Sequence, residues 1–285
     1  MKKNFLILIM MSVGVLASQN TNIQDNRGLL DDLISDGIKI EAYKDNYILP
    51  LSYRKSGKYK SYEPGDVYKD TEAQVQISLK INVVDDLFGF GGKYYLAYTQ
   101  NAFWQLYIDS KPFRENNYNP EIFAVFPIVN IDSFLNPRTL KFAIAHNSNG
   151  QGDNSSAVGY TKADNRSRSI NYFYTTLSFE YDALKTYFKA WVPLVRDSDN
   201  PDIMKYMGYT SMKLNYLKQK HMLTLMGRVS TQTGHGAVEA SYSYPIFRDD
   251  VFVYAKVFSG YGESLIDYNN HLTKFSIGLS FSRQR

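Results

Sequence analysis

A histidine and a serine stand two residues apart at the end of a predicted strand. Residues 138–150 read RTLKFAIAHNSNG, in which apolar residues alternate as they do along a β-strand. Because strand side chains alternate with period two, His146 and Ser148 lie on the same apolar face as Ile144. A serine hydroxyl becomes a strong nucleophile when an imidazole within hydrogen-bond reach takes its proton. The two residues are therefore either buried and hydrogen-bonded, or a nucleophile with its base.

The following predicted strand supplies a third polar residue for the same patch. In SRSINYFYTTLSFE, Asn171 shares the apolar face with Phe173 and Leu177. If the two strands are antiparallel neighbours, Asn171 lies beside His146 and can hold its ring in the tautomer that serves Ser148. An amide suits an apolar surface better than a carboxylate, which is costly to keep ionised there. If this apolar face points outward into lipid, three polar side chains on it are costly unless they have a function, and the pattern then favours a nucleophile, a base and an orienting residue.

Twelve segments of the chain have the length and alternation of β-strands. They span residues 41–54, 72–84, 92–108, 121–131, 138–147, 170–181, 184–195, 204–218, 220–231, 236–247, 250–260 and 270–281. Shorter and longer breaks alternate between them, with 232–235 as the exception. Alternating turns and loops and an even number of strands are typical of outer-membrane barrels.

The two faces of these segments differ in polarity. In AQVQISLKINV, residues 73–83, one face takes Gln and Lys while the other is apolar. The chain has 24 Tyr, 17 Phe and 2 Trp, yet its mean hydropathy is −0.35. An apolar exterior, a polar lumen and aromatic girdles account for both values, whereas a β-sandwich or a lipocalin-like barrel would place the apolar face inside. We therefore predict an all-β fold, a transmembrane antiparallel up-and-down β-barrel of 12 strands.

The chain begins with a pattern typical of exported proteins. Residues 1–17 combine two lysines, an apolar run and a small-residue cleavage pattern, which predicts a signal peptide. We expect a flexible amino-terminal segment at 18–38 and a single barrel domain at 39–285. The chain has no cysteine, and its net charge of +4 falls to about +2 without the leader lysines, so neither disulfides nor a nucleic-acid partner is predicted. The expected location is the bacterial outer membrane.

Several motifs resemble those of one known family. They are HNSNG at 146–150 followed by SRSIN at 167–171, YTQ at 98–100, SKPFRE at 110–115, NPD at 200–202 with KYMGY at 205–209, and SGYGESLIDY at 259–268. Over the expected barrel domain the chain resembles the outer-membrane phospholipase A family, twelve-stranded barrels with a Ser-His-Asn triad on the lipid-facing exterior. The resemblance implies a calcium-dependent phospholipase that hydrolyses acyl ester bonds of glycerophospholipids and lysophospholipids, with A1 and A2 specificity, and that is active as a homodimer.

Carried over residue by residue, the motifs make Ser148 the nucleophile, His146 the base and Asn171 the orienting residue. The Gly150 backbone N–H resembles the family's donor to the oxyanion, assisted by a water molecule that calcium holds. Membrane phospholipids are then the substrate. Two other classes remain open, namely a passive channel or adhesin barrel in which His146 and Ser148 are rim residues, and a soluble periplasmic lipase.

Calcium (Ca²⁺) binds between two facing protomers in that family, and oxygen atoms suit this ion. By motif, Ser110 of one chain pairs with Ser167 and the Gln151 carbonyl of the other, and Gln100 lies at the dimer contact. Position 151 is arginine in the family, but only its carbonyl is needed. The loop after it is longer than the family pattern. It offers three alternatives to the serine at 167, namely Asp153, Ser155 and Ser156.

Two other signals have structural explanations. The acidic run DSDNPD at 197–202 lacks the glycine turn and the final glutamate of a helix-loop-helix calcium site, so we predict a solvated loop there. The lone histidines at 221, 235 and 271 are predicted to take core, rim or lumen positions rather than to bind a metal.

Overall fold

The alternating segments form strands whose apolar sides all face the same way. The computed structural model describes residues 39–59, 68–129, 136–152, 165–248 and 250–283. The expected signal peptide at 1–17 and the segment at 18–38 lie outside these residues. The strands are β1 (Ile40–Ala42), β2 (Tyr47–Ser56), β3 (Thr71–Asp85), β4 (Lys93–Trp104), β5 (Phe113–Pro127), β6 (Pro137–Ser148), β7 (Ser169–Tyr181), β8 (Leu184–Val195), β9 (Thr210–Lys218), β10 (His221–Val229), β11 (Gly236–Arg248), β12 (Val251–Gly260) and β13 (Leu272–Ser280). In the described part of the chain, a short helix, α1 (Ile203–Met207), lies between β8 and β9.

Twelve of these strands close into a barrel. Each strand from β2 to β13 pairs in antiparallel with the next, and β13 pairs with β2. The predicted 12-stranded up-and-down barrel is thereby confirmed. β1 adds no thirteenth position, because β1 and β2 pair with the same edge of β3. Ala42 pairs with Leu79, and the next pair is Tyr47 with Gln76. Between these two pairs the chain advances by five residues while β3 advances by three. Residues 43–46 therefore form a bulge, and β1 and β2 are two parts of one interrupted strand.

The apolar side of the strands faces outward and the polar side faces the barrel interior. In β13, Lys274 is fully buried while Ile277 is 49% exposed. In β3, Gln74 is likewise buried and Ile77 exposed. This polarity suits a barrel surrounded by lipid and is the reverse of a soluble sandwich. Among the described residues, no helix is long and apolar enough to cross a membrane.

The barrel interior holds a network of buried charges. The guanidinium of Arg114 donates two hydrogen bonds to Glu72, of 2.9 and 3.2 Å, and one of 2.5 Å to Asp267. The ammonium of Lys274 lies 2.8 Å from Glu72 and 2.9 Å from Glu263. Mutual pairing offsets the cost of removing these charges from water. A cavity of about 230 Å³, lined mostly by polar side chains from several strands, is also present in the interior.

The connection between β12 and β13, which we call the closing loop (261–271), folds into the mouth of the barrel. Residues 264–268 of this loop are all buried. The hydroxyl of Tyr268 donates a 2.5 Å hydrogen bond to Asp202, and burial together with this bond raises the pKa of Tyr268. We call this end of the barrel the loop rim. It also carries the connections 105–112 and 196–209 and the described ends of the connection between β6 and β7, residues 149–152 and 165–168.

Two strands begin where the sequence pattern does not show it. β5 begins at Phe113 rather than at residue 121. The sequence pattern missed this start because residues 113–120 carry polar side chains on both faces and lack the alternation. β9 begins at Thr210 rather than at residue 204, because α1 occupies the residues before it. The early start of β5 matters for the site, since it brings polar side chains to the interior beside the turn that follows β6.

Candidate active site

Strands β6 and β7 bring His146 and Asn171 together. The two residues are register partners, and Nδ1 of the imidazole lies 2.8 Å from Oδ1 of the amide. An amide oxygen can only accept a hydrogen bond, so this contact requires the ring proton on Nδ1 and leaves Nε2 as an acceptor. This is the tautomer that a general base for Ser148 needs.

Ser148 follows His146 on the same face of β6. Two residues of a strand span roughly 7 Å, and Ser148 pairs with Tyr118 on β5 and with Ser169 on β7. Within the described residues, the hydroxyl makes no hydrogen bond to the imidazole, whose Nδ1 is engaged by the amide. Such contacts are often long without substrate and shorten in the complex. The three predicted residues thus share one patch, with the histidine ring already oriented.

This patch lies on the outer face of the barrel, near the loop rim. Ile144, two residues before His146 on the same face, is 53% exposed, and Phe173, next to Asn171 on its face, is 36% exposed. His146 and Ser148 are half-buried, and Asn171 is exposed. The patch is therefore open to the surroundings of the barrel and is not enclosed in a pocket.

The turn after Ser148 is shaped by a glycine. Gly150 has φ +66°, in the left-handed region that side chains disfavour. A Cβ atom at this position would lie 3.1 Å from the ring of Tyr118, which is closer than ordinary packing allows. Both constraints favour glycine at the position predicted to donate its N–H to the oxyanion.

Asn149 belongs to the site, although the strand pattern did not indicate it. It is 2% exposed, and its side-chain oxygen accepts hydrogen bonds from the N–H groups of Arg168 (3.1 Å) and Gln151 (3.3 Å). Its amide nitrogen donates a 2.8 Å bond to the carbonyl of Arg166. Asn149 thereby joins the two ends of the connection between β6 and β7. A polar residue beside a serine was visible in the sequence, but its partners were not.

The predicted calcium ligands lie on two connections of the loop rim. Gln151, exposed, and Ser167, half-buried, stand at the two ends of the connection that Asn149 joins. Ser110 is exposed on the connection 105–112, with φ +59°. Their hydroxyl and carbonyl oxygens are the donors that Ca²⁺ prefers, and no group of three or more His, Cys, Asp or Glu residues in the described chain suits a metal. The alternative ligands Asp153, Ser155 and Ser156 lie outside the described residues.

Gln100 lies on the outer face of β4. Its side-chain nitrogen donates a 3.2 Å hydrogen bond to Asn116, and its oxygen accepts one of 3.2 Å from Tyr98. Ile77, its register partner on β3, is exposed. Because its polar atoms have partners within the same chain, Gln100 can lie among apolar residues on this surface at low cost.

The acidic run at 197–202 holds the start of β7. Asn200 is buried, and its side chain accepts a hydrogen bond from the N–H of Ser169 and donates one to the Ser169 carbonyl, both 2.9 Å long. The Ser169 hydroxyl also donates to Asp197. The prediction of a solvated loop is therefore wrong for Asn200, which fixes the strand two residues before Asn171.

Comparison with known sequences identifies a family. The model of the phospholipase A1 family matches residues 31–281 of the chain. Phospholipase A1 of Escherichia coli is 34% identical over 241 residues, which cover 83% of this chain and 79% of that protein. Phospholipase A1 of Klebsiella pneumoniae is 31% identical and covers 95% and 94% of the two chains. A putative phospholipase A1 of Neisseria meningitidis is 32% identical, over 93% of this chain and 72% of its own.

Solved structures agree with the sequence comparison. Outer membrane phospholipase A from Escherichia coli superposes with a TM-score of 0.78 at 31% identity, over 87% of this chain and all of that one. An active-site mutant of the same protein, with an asparagine changed to alanine, gives 0.77 at 31% identity, over 86% and 92% of the chains. The calcium-bound dimer of the Salmonella typhi outer membrane phospholipase gives 0.77 at 31% identity, over 86% and 93%. The chain is therefore an outer-membrane β-barrel enzyme of the phospholipase A1 family.

Proposed function

We propose that this enzyme hydrolyses acyl ester bonds of glycerophospholipids and lysophospholipids, with A1 and A2 specificity, through a triad of Ser148, His146 and Asn171. The observation that carries the proposal is the 2.8 Å contact between His146 Nδ1 and Asn171 Oδ1 on the outer face of the barrel. Polar groups on a lipid-facing surface are costly unless they have a function. An asparagine is also part of the active site of the Escherichia coli relative, which supports the place of Asn171 in the proposed triad.

In the acylation step, the Ser148 hydroxyl attacks the carbonyl carbon of the lipid ester while its proton passes to Nε2 of His146. The hydrogen bond from Nδ1–H to Asn171 keeps the ring oriented while it carries the positive charge. The tetrahedral intermediate places a negative charge on the former carbonyl oxygen, and the Gly150 N–H donates to that oxygen. The intermediate then expels the lysophospholipid alkoxide, which takes the proton from His146.

In the deacylation step, the acyl-serine reacts with water. His146 accepts the proton of the attacking water, and a second tetrahedral intermediate forms, with its oxyanion again facing the Gly150 N–H. Collapse of this intermediate releases the fatty acid and returns the proton to the Ser148 oxygen. Donor and acceptor atoms are the same in both steps, so the turn at 149–151 must hold its position throughout.

We assign calcium binding to Ser110 of one protomer together with Ser167 and the Gln151 carbonyl of the other. These are neutral oxygen donors, which fit Ca²⁺ when water completes its shell. When bound there, calcium would supply positive charge that stabilises the developing oxyanion. The calcium-bound dimer of the Salmonella typhi relative supports both the ion and the pairing of two chains.

The dimer would pair the outer faces around Gln100. The surface near this residue includes the exposed side chains of Ile77, Leu96 and Tyr98. Two such surfaces facing each other complete the calcium site, because its donors come from both chains. A passive channel fits the interior less well, since buried residues of the closing loop and a network of paired charges lie within it.

The decisive experiment is a hydrolysis assay of the wild type, Ser148→Ala and His146→Ala, each with and without calcium. Both variants should migrate as folded barrels on unheated gels and release no fatty acid. The wild type should lose its activity in excess chelator. Fatty-acid release by Ser148→Ala at the wild-type rate would rule out the proposed triad. Full wild-type activity in excess chelator would refute the calcium assignment.

A further inference from the structure

Two successive residues of β5, Arg114 and Glu115, both point into the barrel. Trp104 on β4 pairs with Phe113, and Phe103 pairs with Glu115, so Arg114 is an additional residue in β5. This is a β-bulge, which re-aims the side chains of a strand. As a result both side chains are 1% exposed, although they are neighbours in sequence.

Among the described residues, Asn117, Ile266 and Asn149 donate hydrogen bonds to the Glu115 carboxylate. One oxygen accepts from the Asn117 side chain at 2.7 Å and from the backbone N–H of Ile266 in the closing loop at 3.1 Å. The other oxygen accepts from the side-chain nitrogen of Asn149 at 3.4 Å. A buried carboxylate is costly without such partners, so these hydrogen bonds stabilise the charge and fix the position of the Glu115 side chain.

Asn149 links the Glu115 side chain to the turn that follows the proposed nucleophile, Ser148. Its side chain bonds to Glu115 on one side and to the N–H groups of Gln151 and Arg168 on the other. Its own backbone N–H donates a 3.1 Å bond to the Arg168 carbonyl. Gly150 lies between two residues, Asn149 and Gln151, that are both engaged in this set of bonds.

We infer that Glu115 and Asn149 are positioning residues for hydrolysis, which hold the turn at 149–151 so that the Gly150 N–H meets the oxyanion. This inference rests on the proposed function and adds a group that acts from inside the barrel on a site outside it. The long connection after Gln151 then need not position the oxyanion donor, because the barrel itself does so. Displacement of a catalytic group by about 1 Å costs up to roughly 10²-fold in rate.

The test compares Glu115→Gln and Asn149→Ala with the wild type. Glutamine keeps the size of Glu115 but replaces one oxygen by an NH2 group, so either Asn149 or the pair Asn117 and Ile266 loses an acceptor. With lysophospholipid in detergent micelles and saturating calcium, kcat should fall about tenfold for Glu115→Gln and 10- to 100-fold for Asn149→Ala. KM should not change, because neither side chain reaches the outer surface. The calcium concentration for half-maximal activity should rise in both, because Gln151 moves with the turn.

A matched control removes another buried carboxylate from the same face of the same strand. Glu121→Gln breaks contacts with Lys44 and Tyr174 deep in the interior but none with the turn, so its kcat should stay within about twofold of the wild type. A loss of kcat in Glu121→Gln equal to that in Glu115→Gln would show a general effect of a weakened interior and overturn the inference.

The double variant tests whether the two residues act as one unit. Glu115→Gln/Asn149→Ala should be no slower than Asn149→Ala alone, because Glu115 acts through Asn149. Multiplied losses, or an unchanged kcat in both folded single variants, would overturn the inference. If Glu115→Gln does not fold, Asn149→Ala decides alone. Ser148→Ala distinguishes failure of the proposed function from failure of this inference. Full activity of Ser148→Ala would reject the triad, whereas a wild-type kcat in Glu115→Gln and Asn149→Ala would reject only their positioning role.

Discussion

His146 and Asn171 face each other across β6 and β7, with Nδ1 of the imidazole 2.8 Å from Oδ1 of the amide. Both residues belong to the face that carries the exposed side chains of Ile144 and Phe173. The contact sets the ring tautomer by strand pairing alone, before any substrate binds.

Asn171→Ala should slow hydrolysis without unfolding the barrel. Loss of the hydrogen bond frees the His146 ring to rotate and to adopt the other tautomer, so kcat should fall about 10- to 100-fold while KM stays constant. The measurement is steady-state hydrolysis of a lysophospholipid. The control is Thr175→Ala. Thr175 lies on β7 like Asn171, and its substitution removes a 3.0 Å hydrogen bond to the Lys141 carbonyl on β6, so kcat should not change. Equal kcat for Asn171→Ala and Thr175→Ala would contradict the orienting role.

Gly150→Ala should lose activity far more than stability. The substitution strains a backbone with φ +66° by about 1 kcal/mol and pushes a methyl group against the Tyr118 ring, 3.1 Å away. We expect kcat to fall on the order of 10²-fold as the N–H donor shifts. Gly89→Ala is the matched control, because Gly89 has φ +75° and open space around it. Similar stability losses with an activity loss in Gly150→Ala alone are the expected result; normal kcat in folded Gly150→Ala would exclude its N–H as the oxyanion donor.

A mixture of two inactive variants should recover activity if the calcium site spans two chains. Ser110→Ala and Ser167→Ala each damage both sites of their own dimer. In a mixed two-fold dimer, one site carries both changes and the other carries neither. Refolding the variants together should therefore restore about a quarter of the wild-type activity, the share expected for random pairing.

The control for this mixture is the same pair of variants refolded separately and combined afterwards without subunit exchange. That sample should remain at the low activity of the single variants, in a calcium-dependent fatty-acid release assay. An active Ser110→Ala homodimer, or no recovery after joint refolding, would argue that the proposed ligands do not come from two protomers.

Arg114→Ala should strongly destabilise the barrel. The guanidinium bridges Glu72 and Asp267, all fully buried, and its removal leaves uncompensated carboxylates at a cost of about 3–5 kcal/mol. The denaturant midpoint, read from gel migration of unheated samples, should fall accordingly. Arg138→Ala serves as the control, since its 3.6 Å pair with Glu180 is exposed to solvent and contributes less than about 1 kcal/mol. Equal midpoints for the two variants would show that the interior network contributes little.

Most of the sequence prediction rested on the alternation of side chains between the two faces of a strand. The alternation in residues 138–150 placed His146 and Ser148 on one face, and the pattern of the next strand placed Asn171 beside them; the structure pairs His146 with Asn171. Such inferences succeed because side-chain direction in a strand depends only on local position. The number of strands followed from the same rule, even though a bulge at 43–46 interrupts the first one.

The sequence by itself determined the barrel and the outward patch that holds Ser148, because period-two alternation and polar residues on an apolar face are local properties. Only the tertiary structure decided how the turn after Ser148 is held. Glu115 points inward by the same alternation as Glu121, but residues 113–120 are polar on both faces, so the sequence does not show that its side chain meets Asn149 inside the barrel. These two residues are held by Arg168, directly before β7, and by Ile266 in the closing loop, and closure of the barrel brings these distant segments together.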